Sequence, residues 1–156
     1  MPGLEDLYRE IILDHYRTPR NRGELPPPAA HATGHNPLCG DEIEVFLDVQ
    51  EGPTGPVVAD VRVGGQGCSI SQSSASMMSQ AVKGKPVAEV RALVRRFKGL
   101  MTIETEDDGT IDPALVEAVQ LGDLEALQGV VKFPVRIKCA VLAWNTLLDA
   151  LDQQPA

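Results

Sequence analysis

The chain opens with apolar residues at helical spacing, since Leu4, Leu7, Tyr8, Ile11, Ile12 and His15 fall on one face of a 3.6-residue repeat. This predicts an amphipathic first helix, with His15 on its apolar edge. It should stop near Thr18-Pro19, because the residue before a proline avoids the α region. Residues 20 to 38 are rich in proline, carry His31 and His35, and show little periodicity; an extended loop with room for a short edge strand is expected. From Asp41 the period becomes two. Ile43, Val45, Leu47 and Val49 alternate with Glu44, Phe46, Asp48 and Gln50, so one face of a strand is aliphatic. Residues 51 to 56, Glu-Gly-Pro-Thr-Gly-Pro, read as a turn. A second strand follows, with Val57, Ala59, Val61 and Val63 on one face, and the pair predicts an antiparallel hairpin.

After Gly64-Gly65-Gln66-Gly67 the period returns to helical, with Ile70, Ser74, Met77, Met78 and Ala81 in one stripe. Its start is rich in Ser and Ala, which allows close approach to a sheet. Gly84 should end this helix and Pro86 should begin the next, which Val87, Val90, Val94 and Phe97 line. Asp112-Pro113 has the form of a cap and first turn, with Leu115, Val116 and Val119 behind it. Asp123 is a further cap candidate. The last helix carries Cys139 near its start, then Ala140, Trp144, Leu147, Leu148 and Leu151; Trp144 and the Met77-Met78 pair read as core. No repeat or linker divides the chain. The expectation is a single α+β domain over residues 1 to 156, a small antiparallel sheet of about three strands covered by helices.

Composition narrows the function. A formal net charge of −8 disfavours nucleic acid, which needs clustered Lys and Arg, while it allows steering toward a basic partner. No apolar run approaches the roughly 20 residues of a membrane span, and the charged amphipathic start has no signal-peptide core, so a cytoplasmic location is expected. Three widely spaced cysteines do not form a secreted disulfide framework. In a reducing compartment they suggest metal or sulfur chemistry, against the plainer reading of small buried hydrophobes.

Each cysteine has a distinctive setting. In Asn36-Pro37-Leu38-Cys39-Gly40-Asp41, residues 39 and 41 of a regular structure would diverge, but Gly40 has access to backbone conformations that let them converge. Taken alone, this motif is more simply read as a structural turn with an incidental cysteine. In Gly65-Gln66-Gly67-Cys68-Ser69 a cysteine enters a predicted helix, where the dipole favours a thiolate. The loop could also cradle phosphate, although it is neither a P-loop nor a complete dinucleotide fingerprint. Arg136-Ile137-Lys138-Cys139 again puts a cysteine at a helix start. Together, three soft sulfurs and one carboxylate match the ligand number of tetrahedral zinc, and thiolates favour Zn, Cu(I) or Fe–S over Mg or Ca. The spacing itself is unlike a zinc finger. Four anionic ligands on a dication leave −2, which Arg136 and Lys138 could offset. His35, four residues before Cys39, is a further residue within reach of a metal, though an ordinary loop histidine is the simpler reading.

The blocks Asp14 to Asn21, Asn36 to Asp41, Gly65 to Ser71 and Arg136 to Trp144 resemble the U-type sulfur-transfer and scaffold proteins of iron–sulfur cluster assembly. This is the NifU N-terminal, IscU or SufU family, and the resemblance spans essentially the whole chain. It implies a SufE/NifU-like α+β fold with metal ligands on Cys39, Asp41, Cys68 and Cys139, and Gly40, Gly67, Arg136 and Lys138 in support. Two departures from the scaffold branch stand out. Lys138 occupies the position of a histidine, and an inserted helical segment at about residues 100 to 130 precedes Val131-Lys132-Phe133-Pro134-Val135-Arg136, where the scaffolds carry a chaperone motif. Both resemble the SufU branch, which implies a zinc-dependent sulfurtransferase. Such a protein takes persulfide sulfur from a SufS-type cysteine desulfurase and passes it to a SufBCD-type scaffold. The acceptor implied is Cys39, freed when a histidine of the desulfurase replaces it on Zn2+. Two other readings use the same ligands: a scaffold that binds iron or a transient [2Fe–2S] cluster, and a non-catalytic domain with a structural zinc.

Overall fold

In the computed structural model, which describes residues 4–37, 40–103 and 111–153, the chain begins with α1 (Leu4–Arg17). A proline-rich passage leads into three strands, β1 (Ala30–Asn36), β2 (Asp41–Gly52) and β3 (Gly55–Gln66). Helices α2 (Ser69–Val82), α3 (Val87–Leu100) and α4 (Pro113–Ala118) follow, then a 3₁₀ segment (Gly122–Lys132) and α5 (Pro134–Asp152). The sheet is antiparallel in the order β1-β2-β3, and helices cover one of its faces. This is the α+β architecture that the sequence pattern predicts.

The expected loop at residues 20 to 38 contributes a seven-residue edge strand, β1, in register with β2 from Ala30 opposite Leu47 to Asn36 opposite Asp41. Ala30 and Ala32 turn inward. Their small side chains let α5 pack close to this edge; Gly34 is tighter still, since a Cβ there would fall 2.2 Å from Thr146 Oγ1. The far edge, on β3, is not left open. Val63 N–H donates to Asn21 C=O at 2.9 Å and accepts from Gly23 N–H at 3.1 Å, so the passage after α1 covers the exposed ladder groups.

The phase of β3 differs from the expected one. Val61 and Val63 are buried as predicted, but Val58 is buried in place of Val57 and Ala59, and Ala59 is exposed. The cause is a register shift between Asp48/Val49: Asp48 pairs with Asp60 and Val49 with Val58, leaving Ala59 unpaired. One extra residue at a bulge inverts the facing of everything beyond it.

The core lies between sheet and helices, with Ile43, Val45 and Leu47 of β2 against α5, and α2 sandwiched between α1, α5 and β3. Trp144 of α5 is fully buried and stacks on Phe97 at 4.5 Å between ring centroids. Its indole N–H donates to Ser74 Oγ at 3.1 Å, and Ser74 donates to Ala140 C=O at 2.6 Å. The Ser-rich face of α2 is therefore buried with its hydroxyls satisfied, which allows the close approach that small side chains imply.

Of the two expected helix caps, one forms and one does not. Asp112 caps α4 through Ala114 N–H at 2.9 Å, as predicted. Asp123 caps nothing: it lies inside the 3₁₀ segment and its carboxylate meets His15 Nε2 at 2.8 Å. His15 is fully buried, with Nδ1 2.8 Å from Ser76 Oγ, so it ties α1 to α2 and to the 3₁₀ segment. No described helix is long and apolar enough to cross a membrane.

Candidate metal centre

Three elements converge at one end of the sheet. Asp41 is the first residue of β2, and Gly40 before it has φ +68°, a left-handed conformation that favours glycine. Cys39, the expected ligand and acceptor, lies outside the described residues. The Asp41 side chain is 2% exposed. Its Oδ1 accepts a hydrogen bond from Cys68 N–H at 2.8 Å, and its Oδ2 lies 3.8 Å from Cys68 Sγ. Gly67 makes this possible: at φ +156° a Cβ there would fall 2.4 Å from Asp41 Oδ1 and 2.7 Å from Ser71 Oγ.

Cys68 is itself the N-cap of α2, with φ −70° and ψ 168°. Its sulfur accepts from Ser71 N–H at 3.5 Å, taking the place a Ser or Asp side chain usually fills. The sulfur therefore sits at the N-terminal end of a 14-residue helix. Cys139 differs from the sequence expectation. It is the sixth residue of α5, beyond the first turn, where a thiol gains little from the helix terminus. It is fully buried, with the Asn36 side-chain amide donating to Sγ at 3.7 Å and Val135 C=O 3.8 Å away.

The ligand atoms of Asp41, Cys68 and Cys139 all lie within 4.8 Å of one another. Bond lengths to zinc set the sulfur–oxygen edge of a tetrahedron at about 3.5–3.7 Å, and the Cys68–Asp41 separation of 3.8 Å is close to it. Two soft sulfurs and a carboxylate suit zinc or iron, and disfavour magnesium or calcium. Among the described residues this is the only such cluster.

The residue pattern from α1 into α5 also matches a known family, described as the NifU-like N terminal domain, over residues 7–140. The chain belongs to the NifU-like N-terminal family. Within it, the chain is 43% identical over 145 residues to the zinc-dependent sulfurtransferase SufU of Bacillus subtilis, covering 93% of this chain and 89% of that one. It is 38% identical over 150 residues to the iron–sulfur cluster assembly scaffold protein IscU of Streptococcus pyogenes serotype M1, covering 96% and 86%. A crystal structure of a hypothetical protein, 37% identical, superposes with a TM-score of 0.77 over 96% of this chain and all of that one.

The supporting residues separate on inspection. The Arg136 guanidinium stands against both sulfurs, and the negative charge of Cys68, then of Cys139, holds it above the usual arginine range. Arg136 is exposed, so this is a screened, solvent-side counter-charge to a site with excess negative charge. Lys138 is exposed and makes no hydrogen bond or ion pair with the described residues. His35 is exposed in β1 opposite Glu42 and is not part of the cluster, and His31 stacks on Phe46 at 4.2 Å. Sequence reading overlooked Ser71 and the Asn36 amide as groups that hold the sulfurs. Asn36 lies in the Asn-Pro-Leu-Cys-Gly-Asp motif, but only the packing of α5 on β1 brings it to a cysteine 103 positions away.

Proposed function

We propose that this chain is a cytoplasmic zinc-dependent sulfur acceptor and transfer protein of iron–sulfur cluster assembly, using Cys39 as acceptor. The convergence of Asp41, Cys68 and Cys139 ligand atoms within 4.8 Å carries the reading. The name of the Bacillus subtilis relative, zinc-dependent sulfurtransferase, supports it. Cys39, two residues before Asp41, is the fourth ligand in this reading. When bound, zinc keeps its coordinated thiolates deprotonated at neutral pH.

The rest is done by the chain's own groups. Ser71 N–H and the Asn36 amide hold the sulfurs of Cys68 and Cys139 by hydrogen bonds, so these two are anchored. Arg136 offsets their charge from the solvent side. Cys39 would complete the set that holds the zinc and would supply the accepting thiolate. Its thiolate attacks the outer sulfur of a persulfide on a cysteine desulfurase; the persulfide S–S bond breaks, a new one forms on Cys39, and the desulfurase cysteine departs as thiolate. A SufBCD-type scaffold then takes that sulfur. Beside the site an apolar groove of about 580 Å³ is lined by Tyr8, Ile12, Ile70 and Val130, with Arg9 and Lys132 among its residues; in this reading the partner is a SufS-type desulfurase.

The name of the Streptococcus relative favours a second reading, a scaffold on which a [2Fe–2S] cluster is built with the same ligands. Metal analysis and visible absorption of the protein purified without oxygen separate the two: one zinc and no cluster bands support the acceptor. Cys39→Ser then tests the acceptor against a merely structural zinc. The parent should stimulate a cysteine desulfurase and the variant should not; stimulation that survives in Cys39→Ser overturns the proposal.

A further inference from the structure

We propose that Arg22 is a positioning residue for the metal centre, clamping the glycine-rich turn that carries Cys68; this rests on the reading of Asp41, Cys68 and Cys139 as ligands. The turn needs a clamp. Between β3 and α2 the backbone runs through Gly65 at φ +111° and Gly67 at φ +156°. Both lack a Cβ for a reason: at Gly65 it would fall 2.0 Å from the Glu42 carbonyl oxygen, and at Gly67 2.4 Å from Asp41 Oδ1. Glycines at such positions leave the unfolded turn many conformations, yet Cys68 N–H must stay on Asp41 and Cys68 Sγ on Ser71 N–H for the ligand atoms to remain together.

The Arg22 guanidinium spans this turn. One nitrogen, NH2, donates to the Gly65 carbonyl on the strand side; the other, NH1, donates to Gln72 Oε1 at 3.1 Å on the helix side. From Gln72 the contact continues inward. Its Nε2 donates to Ser71 Oγ at 3.4 Å, and Ser71 Oγ donates to the Cys68 carbonyl at 3.1 Å. The two ends of the loop are thus held by one planar fork, with Cys68 between them. Only a guanidinium offers two such donors in fixed geometry.

Arg22 is itself aimed by its neighbours. Asn21, at φ +55°, takes a left-handed conformation that asparagine tolerates. Its side chain donates to Ser79 Oγ at 3.1 Å and accepts from Arg62 at 3.2 Å. With Asn21 C=O and Gly23 N–H both bonded to Val63, the backbone on either side of Arg22 is pinned to the edge of β3. Arg22 touches none of the three ligands, so its effect on the centre runs through Gly65 and Gln72. Because Arg22 is exposed, replacing it should leave the core intact.

The test uses the full chain as parent, Arg22→Ala and Arg22→Lys. Zinc affinity is measured by competition with a chromophoric chelator. Amide exchange of Cys68 and Ser71 and the thermal midpoint are measured on the metal-free protein. Arg22→Ala is expected to weaken zinc binding roughly tenfold, in the range seen for outer-shell partners, and to speed exchange at Cys68 and Ser71, with the midpoint close to the parent's. Arg22→Lys, a single point charge, should recover little of either. Zinc affinity within about twofold of the parent in Arg22→Ala, or unchanged exchange at Cys68 and Ser71, overturns the proposal. A parent that binds no zinc refutes the metal reading instead, and the exchange measurement still decides whether Arg22 holds the turn.

Discussion

Cys68 N–H donates to Asp41 Oδ1 at 2.8 Å, so the carboxylate that faces two sulfurs also fixes the start of α2. Asp41→Ala should cost about 1–3 kcal/mol in the metal-free protein, because the amide loses its acceptor. Asp41→Asn keeps an oxygen there and should stay within about 1 kcal/mol of the parent. Both should lose zinc affinity beyond the roughly 10–100-fold typical of an outer-shell partner, since both remove the charge. Denaturant midpoints and chelator competition check the two effects separately.

Gly67→Ala puts a methyl group 2.4 Å from Asp41 Oδ1, at a positive φ of +156°. The carboxylate must move or the turn must open. Zinc affinity should fall at least as far as in Asp41→Asn, whereas Gly40→Ala, with nothing within 4 Å of its Cβ, should show only the backbone strain of its φ. Paired titrations of the two variants make the comparison.

His15 tests the packing of α1. Arg20 N–H donates to Ser76 Oγ at 2.9 Å, so Ser76 joins the backbone after α1 to the His15 imidazole. His15→Ala should destabilise by about 2–4 kcal/mol, from a cavity and lost hydrogen bonds. Asp123→Ala should cost less than His15→Ala, because that side chain is 47% exposed and water can reach the imidazole in its place. A double-mutant cycle in chemical denaturation measures their coupling.

Ser74 joins the two cysteine-bearing helices through Ala140 C=O and the Trp144 indole. Ser74→Ala strands the indole N–H in the core at a cost of about 1–3 kcal/mol. Adding Trp144→Phe removes the orphaned donor, so the double variant should be more stable than the sum of the single effects implies. Denaturation midpoints of all three variants decide it.

Much of this architecture was legible in the residues. Alternation of Ile43, Val45 and Leu47 reports burial directly, whereas α2 is buried on every side from Ser71 to Ser79 and not only along the stripe from Ile70 to Ala81. The phase of β3 was not legible, because a bulge at Ala59 is set by pairing with β2 and leaves no mark in hydrophobic spacing. Asp123 reads as a cap from its neighbours alone; only the approach of α1 shows that His15 claims it. At the metal centre the residue types Cys68, Cys139 and Asp41 could be read from motifs and family resemblance. The groups that hold them, Asn36 across 103 positions and Arg22 across a turn, follow from tertiary register, which no local pattern encodes.

The most direct measurement incubates the zinc-loaded chain with a cysteine desulfurase and cysteine in the absence of oxygen, then maps added sulfur by intact-mass and peptide analysis. The account predicts the mass of added sulfur on Cys39, with Cys68 and Cys139 unmodified. Sulfur mapped to Cys68 or Cys139, or a chain that leaves the reaction unmodified while the desulfurase is turning over, would contradict it.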